Sequence, residues 1–280
     1  MTRRLSGLLH LVHPFPSALN ALLVVGLALV AGGAAGAAAG LGLAMLALQF
    51  SIGAFNDYCD AELDGRTKPD KPIPAGRVSR RTALLVAVIC AALGLALAAP
   101  FGPPVLALAA LMLGAGLAYD VWLKRAGWGW LAFAVAFPLV PIYAWYGSTG
   151  ALPPRSELLL PVAALAGPAL QLANGLTDLE ADAAYGVVGL AGRLGRRAAV
   201  ATLAVLQAVI HGVAWTSIAA GGEVPMAAFV LLGVASAATL LGVPLSASVH
   251  TARRQAGWHA QAGGVVVLAL GWLIAVASPG

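Results

Sequence analysis

The chain has 280 residues, of which 60% are apolar and only 10% charged, with a mean hydropathy of +0.89. A soluble domain carries roughly 25% charged residues, so this composition excludes an ordinary soluble globular protein and implies a polytopic membrane protein. Two cysteines, Cys59 and Cys90, supply neither a disulfide framework nor a zinc site, and the modest net charge of +5 is a guide to membrane topology rather than to nucleic-acid binding.

Arg3 and Arg4 open the chain and are followed by LSGLLHLVHPFP. A signal peptide would pair such residues with a short apolar stretch and a cleavage site. Here His10, His13, Pro14 and Pro16 interrupt, and 1–16 is expected to form a retained interfacial lead-in helix. A bilayer core needs about 20 apolar residues per helix. On that length, nine transmembrane helices are predicted over 17–36, 40–60, 82–99, 103–122, 129–147, 158–178, 198–219, 225–248 and 262–278. Turn chemistry separates them at Pro100–Pro104, Ser148–Pro154 and Gly221–Pro225. The expected fold is an all-α membrane bundle forming a single domain over 1–280, with two four-helix-like halves. Small residues at Gly32, Gly36 and Gly40 have the spacing of a helix-packing seam.

Of the 16 Lys and Arg residues, 15 fall on one side of these spans, and only Arg155 lies opposite. The positive-inside rule therefore places the N-terminus in the cytoplasm. Nine of the eleven acids, all but Glu157 and Glu223, lie on the same side.

Those acids form two clusters. NDYCDAELD ends span 2 with Asn56, Asp57, Asp60, Glu62 and Asp64, and NGLTDLEAD ends span 6 with Asn174, Asp178, Glu180 and Asp182. Both contain N-x3-D-x3-D, offset by 118 residues, which suggests an internal repeat of about four spans. Residues at i, i+4 and i+8 drift only about 80° around a helix, so each set shares a face. A lone D-x3-D is more often a solvated helix end. Two of identical spacing at one membrane face are harder to read that way, because an ionised carboxylate in a span costs on the order of 2.5–3.5 kcal/mol. Oxygen-only ligands suit Mg²⁺ or Ca²⁺, and Mg²⁺ takes one or two carboxylates plus substrate phosphates. Arg66, Lys68, Lys71 and Arg77 follow at once. Carboxylates, a metal and nearby cations together suit a diphosphate.

NDYCDAELDGRTKPDKPIPAGRVS resembles the first signature of the UbiA superfamily of intramembrane prenyltransferases, with Lys71, Pro72, Ile73 and Gly76 in its basic-Pro-Ile-x-x-Gly run. NGLTDLEADAAYGVVGLAGRLG resembles the second signature, closing on Gly186 and Leu194–Gly195. The resemblance implies a UbiA-like bundle that transfers an isoprenoid chain from an allylic polyprenyl diphosphate to a lipophilic, aromatic acceptor of quinone-precursor type such as 4-hydroxybenzoate. It implies Mg²⁺ held by Asp57, Asp60, Asp64, Asp178 and Asp182, with Asp60, Asp64, Asp178 and Asp182 central to catalysis. It places Asn56, Asn174, Lys71, Arg66, Tyr119, Lys124 and Arg193 on the substrate side. It also implies an active site at the cytoplasmic face of a bacterial inner membrane, with membrane lipid as its surroundings.

The chain departs from the family pattern at three places. Tyr119 and Lys124 are separated by four residues where the family often has three. Ala183–Ala184–Tyr185 follows the second motif where a basic residue is common, which leaves Arg193 to supply the charge. His13–Pro14 stands where many members have Arg-Pro. Glu62 and Glu180 lie off the shared faces and are expected to be loop ion-pair partners. The competing readings are a CDP-alcohol phosphatidyltransferase, of whose pattern Asp64–Gly65–Arg66 is a fragment, and an ion-coupled transporter, for which polar residues would be expected deep in the membrane.

Overall fold

A computed structural model describes residues 3–184, 189–219 and 224–277, with only the backbone of residues 181 and 182. Among the described residues every regular element is helical. They are α1 (Arg3–Leu11), α2 (Pro14–Val30), α3 (Ala35–Thr67), α4 (Arg80–Ala98), α5 (Pro103–Ala118), α6 (Gly129–Thr149), α7 (Ser156–Thr177), α8 (Leu179–Ala184), α9 (Leu190–Ala219), α10 (Met226–Ser246) and α11 (Thr251–Ala277). Among the described residues eight helices are long and apolar enough to cross a bilayer, and α1 with α2, bent by 52° where they meet, pass the same test only as one broken span. Predicted spans two to nine recur as single helices, whereas the first falls on α2, which is long enough to cross only together with the lead-in helix; the chain is an all-α membrane protein.

The limits differ where polar residues continue a helix. α3 runs to Thr67 rather than 60, because a hydropathy window stops at charge whereas a helix stops at a breaker. Here Pro69 disfavours helical backbone at Lys68. The lead-in helix ends at Leu11 rather than 16, since Pro14, with no N–H to lose, opens α2 at its first position. His13 between them takes φ 49, a left-handed conformation unusual outside glycine.

Helix contacts divide the chain into two compact units, Met1–Trp122 with Ile142–Ala151, and Leu123–Pro141 with Leu152–Gly280. In the first, α3 is central and packs against α2 and α4. The close approaches fall at Gly42, where a Cβ would overlap Val25 of α2, and at Gly94, where it would lie 2.6 Å from Leu48 Cδ2. Of the expected seam only Gly40 makes such an approach, where a Cβ would lie 2.9 Å from Phe101 Cζ. Gly32 turns the chain with φ +85, and a Cβ on Gly36 would meet nothing within 4 Å. Leu85, Val88, Ile89 and Leu93 leave an exposed apolar face on α4, as a lipid-facing helix requires.

In the second unit α10 and α11 pack along their length. Polar side chains tie the helices together: Gln207 Nε2 donates to Gln261 Oε1 at 3.1 Å, Gln261 Nε2 to Ser246 Oγ at 3.0 Å, and Trp272 Nε1 to Ser217 Oγ at 2.6 Å. Such bonds favour particular helix pairings in lipid. Gly195 interrupts α9 with φ 73, so the closing Leu194–Gly195 of the second motif is where that helix breaks and restarts at Arg196.

Candidate active site

In the first unit, Asp57, Asp60 and Asp64 are all buried, at 2%, 5% and 4% exposure. They lie on the last three turns of α3, which continues as helix past them. Asp57 and Asp64 are two turns apart and share a face. Lys71 Nζ bridges them, 2.8 Å from Asp57 Oδ1 and 2.9 Å from Asp64 Oδ2. His13 Nε2 also lies 3.0 Å from Asp57 Oδ1, whereas the buried Oδ2 of Asp57 has no hydrogen-bond partner.

The loop that presents Lys71 is tightly folded. Lys71 N–H donates to Lys68 O, Ala75 N–H to Lys71 O, and both Arg77 and Val78 donate to Pro72 O. The Arg77 guanidinium donates to Asp70 O. Ile73 and Val78 anchor the loop in an apolar cluster with Leu11, Ala54, Ala83 and Ala87. Gly76 reverses the chain at φ +66, and a Cβ on Gly7 of α1 would lie 2.9 Å from both Arg77 and Val78, so α1 also rests on the loop. Burial alone would favour a neutral Lys71, but the carboxylates of Asp57 and Asp64 outweigh it and hold the ammonium above its ordinary range. Beside it opens a cleft of about 490 Å³ lined by His10, His13, Lys68, Lys71 and Arg77 together with Asp57.

Asn56 Nδ2 donates to Asp120 Oδ1 at 2.7 Å. Asp120 is 1% exposed and lies in a π turn, Tyr119–Leu123, at the end of α5. A π turn holds one residue more than an α turn, so it takes up the additional residue between Tyr119 and Lys124. Both of these are half-buried, and Arg66 is exposed.

In the second unit, Asn174 on α7 is exposed and Asp178 is the half-buried residue that ends that helix. The side chain of Asp182 lies outside the described residues, as does Gly186. Glu180 pairs with Arg196 and with Arg254. Arg254 is 1% exposed and also donates to Thr177 O at 3.4 Å and to Ser248 O and Val249 O at 3.0 and 3.1 Å. It thereby ties the start of α11 to the end of α7. Arg193 is exposed and donates to Ala126 O at 2.9 Å. Glu62 pairs with Arg80 at 3.6 Å, so both glutamates set aside in the sequence are ion-pair partners, although each lies on a helix rather than in a loop.

His13, Asp120 and Arg254 are the residues near the motifs that the sequence did not single out for a role. His13 stood out only as a departure, Asp120 only as a neighbour of Tyr119, and Arg254 only as one of the inside charges. The available signal was an acid at the end of an apolar span in AYDVWLKR.

Three carboxylates within eight residues, one with a buried oxygen that no donor reaches, are of the hard oxygen type that Mg²⁺ takes. Among the described residues no three or more His, Cys, Asp and Glu side chains are gathered around a common point. The ammonium of Lys71 lies between Asp57 and Asp64.

The helical architecture is that of a membrane protein with a buried acidic face, bridged by lysine, at the end of α3. The model of the UbiA prenyltransferase family matches residues 19–262, and the chain belongs to that family. It is 35% identical over 181 residues to the digeranylgeranylglyceryl phosphate synthase of Methanopyrus kandleri, covering 64% of this chain and 66% of the relative. It is 35% identical over 204 residues to the enzyme of that name from Halobacterium salinarum, covering 71% and 73%. It is 30% identical over 187 residues to a 4-hydroxybenzoate octaprenyltransferase of Alkalilimnicola ehrlichii, covering 66% and 62%. The chain spans 66% and 50% of the Methanopyrus kandleri and Korarchaeum cryptofilum synthases it matches. A UbiA homologue from Archaeoglobus fulgidus, bound to GPP and Mg²⁺, shares the fold with TM-score 0.74 at 16% identity, over 96% of this chain and 99% of that one. Family membership removes the phosphatidyltransferase and transporter readings.

Proposed function

We propose that the chain is an Mg²⁺-dependent prenyltransferase that moves an isoprenoid chain from an allylic polyprenyl diphosphate to a lipophilic acceptor bearing a phosphate, of the glyceryl phosphate type. The observation that carries this reading is the cleft beside the buried Asp57, which His10, His13, Lys68, Lys71 and Arg77 line together with the exposed Asp70. Lys68, Lys71 and Arg77 suit phosphate oxygens, and they suit the carboxylate of 4-hydroxybenzoate as well, so the choice of acceptor rests on the relatives. The names of the Methanopyrus kandleri and Halobacterium salinarum relatives support the phosphate, and the Alkalilimnicola ehrlichii relative supports an aromatic acceptor as the second reading.

Asp57, Asp60 and Asp64, with Asp178 and Asp182, are the residues that would hold Mg²⁺. When bound, the ion supplies charge that stabilises the departing diphosphate. Lys71 adds a positive charge at the same group, and its folded loop spares the cost of ordering it at the moment of reaction. Asn56, held by Asp120, is a neutral donor and acceptor beside the acids. Arg66, Tyr119, Lys124, Asn174 and Arg193 are the further substrate-side positions. Cleavage of the allylic carbon–oxygen bond leaves an electron-poor carbon, which the acceptor attacks with loss of a proton, and apolar helix walls keep water away. The distribution of Lys and Arg supports a cytoplasmic active site.

The test is an assay in reconstituted membranes that offers allylic diphosphates of several lengths with a glyceryl phosphate lipid or with 4-hydroxybenzoate, with and without Mg²⁺. The expected result is product from the glyceryl phosphate lipid, dependent on Mg²⁺ and abolished by Asp60→Ala. Product from 4-hydroxybenzoate alone would favour the second reading. Turnover indifferent to Mg²⁺ and to Asp60→Ala would overturn both.

A further inference from the structure

We infer that Lys71 is an internal counter-ion. It neutralises the first motif while no metal is bound, and it leaves for the diphosphate when metal and donor bind together. This rests on the Mg²⁺-dependent reading above.

Asp57 and Asp64 are nearly inaccessible to water and lie two helical turns apart on one face of α3. Two such charges without a counter-ion would be costly to bury. Lys71 Nζ meets both, through Asp57 Oδ1 at 2.8 Å and Asp64 Oδ2 at 2.9 Å. An Mg²⁺ ion taking either carboxylate, Asp57 through its unpartnered Oδ2 included, would come close to the ammonium held on the other oxygens, and the two cations repel. A metal arriving alone therefore binds weakly while the ammonium stays and favours its departure.

Displacement requires little of the backbone. The loop is fixed by the hydrogen bonds on Lys68, Lys71 and Pro72 and by the burial of Val78 and Ile73 in the apolar cluster. Lys71 itself is long and flexible, and it borders the cleft shared with His13, Lys68 and Arg77. A change of side-chain rotamer moves the charge from the carboxylates into that cleft. With only a metal present, the ammonium moves there beside Lys68 and Arg77, with the solvated Asp70 as the acid nearest at hand in place of two buried ones. With a diphosphate present, it exchanges two carboxylates for phosphate oxygens. Metal and diphosphate then bind with positive coupling, each weak without the other, and Lys71 carries that coupling. The consequence is a site that resists filling by metal until its donor arrives.

The experiment uses the full chain in lipid nanodiscs and measures Mn²⁺ binding from the electron paramagnetic resonance of the free ion, with and without inorganic diphosphate. Lys71→Met should bind Mn²⁺ alone about five- to tenfold tighter than wild type, the lower end of usual coupling between sites. Diphosphate should tighten Mn²⁺ binding less in Lys71→Met than in wild type. Lys71→Arg, which keeps the charge, should retain the wild-type pattern. One measurement needs no variant: amine-selective labelling of wild-type Lys71, read by mass spectrometry, should rise when Mn²⁺ is added alone. Mn²⁺ affinity that is unchanged or weaker in Lys71→Met, or labelling that does not rise, overturns the counter-ion role. Wild-type Mn²⁺ binding that Asp60→Ala leaves intact would instead overturn the underlying metal reading.

Discussion

Asn56 donates to Asp120 at 2.7 Å and so joins the acidic end of α3 to the π turn that ends α5. The bond fixes the orientation of the Asn56 amide, with its Nδ2 committed to Asp120. A hydrogen bond to a buried charge is worth about 1.5–3 kcal/mol. Asp120→Ala is expected to lower stability by at least that much in thermal melts of the detergent-solubilised protein. Asp120→Asn keeps an acceptor oxygen and should lose less. Equal melting temperatures for wild type and Asp120→Ala would show that the bond holds nothing in place.

Arg254 makes the corresponding tie in the second unit. Its guanidinium reaches Glu180, Thr177 O, Ser248 O and Val249 O from a position 1% exposed. Two of the carbonyls belong to the turn before α11, and the third ends α7 one residue before Asp178. Arg254→Met would leave Thr177 O and Val249 O without this donor, while Ser248 O keeps Arg196, at a cost of about 3 kcal/mol, the scale of one or two charge-assisted bonds. Glu180→Gln should cost much less, since Glu180 is exposed and water replaces its partners. Hydrogen exchange across 174–180 is the measurement. Arg254→Met should speed it, and protection unchanged from wild type would refute the tie.

The spans and the acidic motifs were legible because each is a property of local composition. Hydropathy marks a span whatever its neighbours, and N-x3-D-x3-D places three residues on one face whatever covers them. What covers them was not legible. Lys71 is fourteen residues from Asp57, and only the folded loop brings the two to 2.8 Å. The π turn has no hydropathy signature, because one residue more in an apolar run changes no average. Arg254 lies 74 residues from Glu180 and carried no signal beyond its charge.

The glycines show the same division. Spacing suggested Gly32, Gly36 and Gly40 as a packing seam, yet of these only Gly40 meets a neighbour, Phe101, whereas Gly42 and Gly94 are where helix meets helix. Small-residue spacing recurs often in so glycine-rich a chain, and which face meets a neighbour depends on the rotation of the whole helix. Gly42→Ala should therefore overpack α2 against α3 and cost about 1–3 kcal/mol. Gly36→Ala, whose Cβ meets nothing within 4 Å, should be neutral or slightly stabilising. Thermal melts of the two variants side by side decide this, and a reversed order would show that the helices approach along another face.

Lys71 gives the metal-free protein a defined response to alkali. Its folded-state pKa is raised, because Asp57 and Asp64 outweigh the effect of its burial. A group raised in this way stabilises the fold fully at pH below its unfolded value and loses that contribution as pH climbs through the folded value. The unfolded value for lysine is about 10.4. In chelator-treated protein, the gap in melting temperature between wild type and Lys71→Met should therefore stay constant from neutral pH to about 10 and close above it. Comparing the two proteins cancels the lysines and tyrosines they share. A gap that already closes between neutral pH and 9 would mean that Lys71 ionises below its ordinary range, and that burial rather than the two carboxylates governs it.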